Sequence, residues 1–217
     1  EKVLETARYI CTDIAPHLEE TTLEMGNLLR ALDGQFVDPS PSGAPTSGGA
    51  DLLPTGRNFY SIDPRALPTE PAWEIGKQMA DNVIEKFIAD EGHYPESCGI
   101  ILWATSNLRN HGTCIAEFLY LMGLKPVWQA GSHRVVGVEV IPLSELKRPR
   151  IDVTGRISGL FRDSLPASVS WLDQAAGKVA ALDEPDDMNY VRKHVREEAG
   201  ELEKEGLDKE EAWREAG

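Results

Sequence analysis

From residue 71 onward the apolar positions recur at helical intervals: Trp73, Ile75, Met79, Val83, Ile84 and Phe87. That spacing predicts an amphipathic helix running to about Asp90. Residues 98–104, CGIILWA, are then apolar without interruption over the length of a strand. Such a run predicts a parallel strand covered on both faces, with Cys98 and Trp103 in the core. Residues 113–122 return to the helical period and stop at Gly123, the usual residue at a helix end. Residues 125–128 predict a short strand, 135–141 (VVGVEVI) a longer one, and 142–146 a single helical turn. Residues 150–157 read as a strand and 160–182 as a helix kinked at Pro166. Another helix opens over 184–194 and passes into a charged helical tail.

Upstream, residues 1–32 carry Leu4, Ala7, Ile10, Cys11, Leu18, Leu28, Leu29 and Leu32 at helical spacing. Pro16 predicts a break or kink there, and Asp33–Gly34 ends the helix. Residues 38–56 hold four prolines, four glycines and no basic residue. That composition fits a flexible linker. It also fits a long loop laid over a binding cavity.

Strands alternating with helices from 98 to 182 predict an α/β fold, a doubly wound, mostly parallel sheet flanked by helices. Helical extensions sit at both ends. The organisation is a helical segment (1–34), a Pro/Gly-rich loop (35–70), an α/β domain (71–182) and an acidic helical tail (183–217). Ligands of such sheets lie outside the carboxyl ends of the strands. Here those ends are 105–112 (TSNLRNHG), 129–134 and 154–163, the loops richest in polar residues and glycine.

The net charge of −14 argues against nucleic acid and anionic membrane as partners, since both select a basic face. Residues 183–217 contribute half of it, with 13 acidic against 6 basic side chains. They read as a solvated tail or, less simply, as a docking surface. No apolar run is long enough for a membrane helix. Three cysteines without a CxxC pair fit a reduced, cytoplasmic compartment. The chain starts without Met, which suggests a piece of a longer polypeptide.

No Walker loop, GxGxxG, GxSxG or HExxH occurs, so ATP is not expected to bind here. His111 and Cys114, three apart, could form half of a metal site, although a capping His and a buried Cys explain them as well. His111 alone follows a strand's carboxyl end, where a base could face a cavity. His133 reads as a turn residue. Arg57, Arg65, Arg109, Arg156 and Arg162 all fall in loops or at strand ends. The guanidinium fork suits planar carboxylates. Asp63, Asp152 and Asp163 stand beside arginines, either bracing loops or acting as bases. Trp103, Trp128, Phe59, Tyr60 and Phe161 could line an apolar cavity, although core is the simpler reading for the two tryptophans.

Two runs carry a family resemblance: LPTGRNFYSIDPR at 53–65 and RPRIDVTGRISGLFRD at 148–163. With GNLLRALDGQFV, ILWATSNLRNHG, IAEFLYLMGLKPVW and LDEPDDMNYVRKHV, in that order, they resemble the large subunit of the ATP-dependent tetrapyrrole metal chelatases. This is the family of the cobaltochelatase (CobN) and magnesium chelatase large subunits. The resemblance implies insertion of Co²⁺, or alternatively Mg²⁺, into a tetrapyrrole. The ion is substrate, no cofactor is held by this chain, and ATP belongs to separate AAA+ partner subunits. It implies that Arg57, Asn58, Arg65, Arg109, Arg156 and Arg162 contact the macrocycle. His111 and Asp163 would be the proton-accepting groups, because insertion displaces two pyrrole N–H protons. The family's HGTHG motif and its following Glu are absent, so the segment reads as one wall of a site, inactive alone. The competing readings are a scaffold that docks the ATPase ring through its acidic tail, and a stand-alone binding domain for a small anionic ligand.

Overall fold

The computed structural model describes residues 2–41, 52–60 and 62–216. Chain contacts divide it into two units, 1–62 and 63–217.

The first unit opens on a nearly unbroken helical run. α1 (Lys2–Tyr9) passes through a π turn into α2 (Ala15–Glu19), then through a 3₁₀ turn into α3 (Leu23–Leu32). Pro16 lies in the first turn of α2, so the bond it cannot donate is lost where the helix widens to the π turn. α3 ends as expected: Gly34 turns to φ +74°, and the Gln35 amide reaches back to the Arg30 carbonyl. β1 (Pro39–Pro41) pairs in parallel with β2 (Asn58–Tyr60). Residues 42–51, the middle of the expected long loop, lie outside the described residues. No residue of α1, α2 or α3 is buried, so the leucines at helical spacing are exposed.

The second unit is built around two helices. α4 (Glu70–Glu91) starts at Thr69, whose hydroxyl accepts the Ala72 amide, and stops at left-handed Gly92. α6 (Thr113–Leu121) is buried over most of its surface, including Ile115, Ala116, Phe118 and Leu119. The two touch at Gly76. A Cβ there would lie 2.4 Å from the Cβ of Ala116, so the close approach requires glycine.

Between them in sequence come β3 (Ser97–Leu102) and α5 (Ala104–Arg109). After α6 follow β4 (Leu124–Trp128), β5 (Val135–Val140), the short α7 (Leu143–Leu146) and β6 (Asp152–Ile157). α8 (Gly159–Ser164), α9 (Pro166–Ala180), α10 (Tyr190–Glu205) and α11 (Lys209–Ala216) complete the unit.

The architecture is mixed α/β, but the expected doubly wound sheet is not what forms among the described residues. β3 pairs in parallel with β6 alone, while β4 and β5 pair with each other, antiparallel. The reason is the connection. Only six residues separate β4 from β5, and a parallel crossover needs about a dozen. Residues 105–112, expected as loop, contain α5. The acidic tail is helical, and α10 docks through buried Val191, Val195 and Ala199.

One buried ion pair ties these pieces together. Arg150 is fully buried, and its Nε and Nη2 donate to the two carboxylate oxygens of Glu184 at 2.7 and 2.9 Å. Its Nη1 donates to the Gly123 carbonyl and its Nη2 also to Ile141, at the two ends of the β4–β5 hairpin. Asn189 donates to Glu184 and to the Val179 carbonyl in α9, and its Oδ1 caps α10 at Arg192. Gly123, at φ +77°, makes room: a Cβ would come within 2.4 Å of Arg150 Nη1. Arg148 is spent similarly, on the carbonyls of Tyr120 and Leu121 and over the Tyr120 ring. Burial pushes its pKa down.

Arg150→Met should destabilise the second unit by about 3–5 kcal/mol, because it removes the buried charge partner of Glu184, which keeps only the Asn189 amide, and takes a donor from the Gly123 and Ile141 carbonyls. Urea unfolding checks this, and a loss under about 1 kcal/mol would show that the network is dispensable.

Candidate functional site

The parallel pair fixes the site. β3 and β6 run in register from Ser97↔Asp152 to Leu102↔Ile157, so both carboxyl ends open at the same level. Even-numbered residues of β3 face the core: Ile100 and Leu102 are buried, and Gly155 on β6 lies under Phe118. Odd-numbered residues face outward. Ile101 is 54% exposed and Trp103 57% exposed, beside Arg156 on β6. The apolar run that predicted a strand covered on both faces is therefore covered on one, and Trp103 is not core. Phe161 does enter the core, Trp128 is half-buried with its indole N–H on the Pro68 carbonyl, and the Phe59 and Tyr60 side chains lie outside the described ones.

Each strand runs into a short helix. α5 follows β3 through Trp103 and ends at Arg109. α8 follows β6 through Ser158, whose hydroxyl accepts the Phe161 amide at 3.1 Å, and it carries Arg162 and Asp163. Arg109, Arg156 and Arg162 are thus brought to one end of the sheet, all exposed. Arg109 and Arg156 make no ion pair among the described residues. Arg162 donates to Asp163 at 2.8 Å. That pairing lowers the Asp163 pKa and raises that of Arg162. Asp163 is consequently an ionised, weakly basic carboxylate here.

The other sequence candidates lie elsewhere. His111 follows α5 with a left-handed backbone, φ 59°, and its carbonyl accepts the Thr69 amide. It lines a cavity of about 480 Å³ with Thr69, Glu70, Pro71 and His133. His133, in the expected turn, approaches Glu70 at 3.5 Å. Among the described residues no three His, Cys, Asp or Glu side chains converge closely enough to hold a metal ion. Cys114 receives a weak bond from Asn110 instead of joining His111. Arg65 and Asp63 form a brace. The Asp63 carboxylate accepts the Arg65 amide at 3.0 Å and the Arg134 Nε at 2.7 Å. Asp152 sits at the amino end of β6, bonded to His194 at 2.7 Å and far along the strand from Arg156.

Arg57 and Asn58 belong to the first unit. There they line a cavity of about 690 Å³ against Asn27 and Leu28 of α3. Asn27 donates to the Gly56 carbonyl and Thr55 bonds Glu24, so the turn carrying Arg57 is tied to the helix.

Residues 1–217 match the profile of the family described as CobN/Magnesium Chelatase. The chain belongs to the CobN/Magnesium Chelatase family. The aerobic cobaltochelatase subunit CobN of Sinorhizobium sp is 48% identical over 193 residues, covering 89% of this chain and 15% of that protein. The chloroplastic magnesium-chelatase subunit ChlH of Oryza sativa subsp. indica is 43% identical over 180 residues, 82% of this chain and 13% of that protein. The solved structure of the catalytic subunit of cobaltochelatase from Mycobacterium tuberculosis superposes with a TM-score of 0.80 at 45% identity, covering 95% of this chain and 17% of that one. The chain therefore spans a small part of the length of its CobN and ChlH relatives. No helix among the described residues is long and apolar enough to cross a membrane.

Within this segment of the chelatase family Asp63 offers a direct electrostatic check. The Arg65 amide first, and Arg134 second, hold its pKa at about 2 instead of 3.8. A carboxylate held below its unfolded value stabilises the fold above pH 3.8 and gives that up as pH falls toward 2. Arg134→Ala should raise the Asp63 midpoint part of the way back, as read by carboxyl NMR titration. An unchanged midpoint would mean that the Arg134 bond does not form.

Proposed function

We propose that the chain is part of the tetrapyrrole-binding large subunit of a cytoplasmic, ATP-dependent metal chelatase that inserts Co²⁺ into a corrin precursor. ATP is hydrolysed on separate AAA+ partner subunits, and the metal is substrate. The observation that carries the reading is the gathering of Arg109, Arg156 and Arg162 at the carboxyl end of β3–β6. Arg156 lies at the carboxyl end of β6 and Arg109 and Arg162 on the helices that follow β3 and β6, in a chain of net charge −14. Corrin precursors and porphyrins present peripheral carboxylates or amides, and the arginine fork pairs with the carboxylates bidentately. Cobalt is favoured because the CobN relative shares more of the sequence than the ChlH relative. Magnesium insertion into protoporphyrin is the second reading, supported by the same family membership.

In this account Arg156 and Arg109 bind and orient the macrocycle. His111, two residues past Arg109 but lining a cavity of its own, is the proposed acceptor of a proton released from a pyrrole nitrogen, which requires the ring to reach from the arginines to that cavity. Asp163, the other candidate base, is paired with Arg162 at 2.8 Å, an ion pair that favours its ionised form.

The test uses the full-length polypeptide with its ATPase subunits. Arg156→Ala should raise KM for the macrocycle about tenfold, the scale of one lost charge-assisted bond, with a smaller change in kcat. Insertion of cobalt into a corrin precursor, and not of magnesium into protoporphyrin, is expected. The reverse preference would select the second reading, and an unchanged KM would remove Arg156 from the site.

A further inference from the structure

Parallel strands are ordinarily covered on both faces. Among the described residues the outward face of β3–β6 is uncovered at its carboxyl half, and its two ends differ. At the amino end Asp152 is occupied by His194, which also approaches Glu96, itself bonded to Lys193. At the carboxyl end Ile101, Trp103 and Arg156 stand exposed, with nothing described over them. Between the ends the face is low. Gly99 has no side chain and open space where one would be, and its partner Thr154 is small. Of the five tryptophans, Trp103 alone is exposed; Trp73 is buried and the other three are half-buried. A large indole beside an aliphatic side chain and a cation, on a flat and otherwise low surface, suits a flat, apolar ligand with an anionic edge.

We propose that this face is the platform on which the ring lies. Trp103 stacks under the plane of the macrocycle, Ile101 extends the apolar floor, and Arg156 takes a peripheral carboxylate. The idea rests on the tetrapyrrole reading above and deepens it by separating ring contact from edge contact. Charge complementarity selects the occupant: in a strongly acidic chain, the cationic side chain beside the bare indole matches an anionic flat ligand. A covering segment of the same polypeptide is the rival occupant.

The experiment uses the full-length protein and a metal-free corrinoid diamide, with protoporphyrin as the second probe. Hydroxyl-radical labelling, read by mass spectrometry at Trp103, reports its exposure with and without ligand. Absorption titration gives the Kd. Trp103 is expected to label readily in the free protein and to be shielded by saturating macrocycle. Trp103→Ala should weaken binding about ten- to hundredfold, the scale found for flat rings stacked on aromatic side chains, while Trp103→Phe keeps most of it. Shielding without ligand would overturn the platform, because another segment then covers the face. So would wild-type affinity in Trp103→Ala, which leaves the tetrapyrrole reading intact. Absence of saturable binding by the wild-type protein would overturn the tetrapyrrole reading, and the platform with it. If Trp103→Ala misfolds by circular dichroism, the labelling result and the Trp103→Phe affinity decide.

Discussion

Burying a guanidinium costs several kcal/mol, and Arg150 stands with none of its surface exposed. That cost is offset only because nearly every donor of the fork is used: Glu184 takes two, and carbonyls at both ends of the β4–β5 hairpin take the others. The pairing constrains much of the second unit. It requires glycine at 123, places Glu184 where Asn189 can reach it, and so fixes the start of α10 against the end of α9. β6 begins two residues after Arg150. The ion pair therefore also sets where that strand starts and, through the register with β3, which residues reach the carboxyl end.

The consequence for chemistry is a separation of roles among arginines of one sequence run. Arg148 and Arg150 hold the frame from inside. Arg156 and Arg162 are carried past it into solvent, and α5 brings Arg109 to the same end of the sheet. A rigid frame under exposed cations suits recognition of a flat anionic molecule, because little side-chain and backbone order remains to be gained on binding.

Much of this was legible in the chain. The helical period of Trp73 to Phe87 and the stop at Gly123 depend on neighbours a few residues away and appear as read. The helix expected to end near Asp90 runs to Glu91, and the kink expected at Pro166 is a break between α8 and α9. Long-range facts were hidden. The alternation of strands and helices suggested a single, mostly parallel sheet, and the short 129–134 connection, which forces β4 and β5 antiparallel, was not weighed against it. Ile101 and Trp103 read as core because an apolar run does not say how many faces are covered. The four arginines of RPRIDVTGRISGLFRD look alike in sequence, and only the partner Glu184, far along the chain, distinguishes Arg150 from Arg156. For Asp63, read as either a loop brace or a base, the structure shows the brace, with a local amide and the distant Arg134 as its partners.

Hydrogen exchange of the full-length protein, with and without a saturating metal-free corrinoid, tests the central claim most directly. The account predicts slowed amide exchange over residues 101–110 and 156–163 when the macrocycle binds, with the buried strand interiors unchanged. Saturable binding that leaves both stretches untouched and protects amides only outside this segment would contradict it.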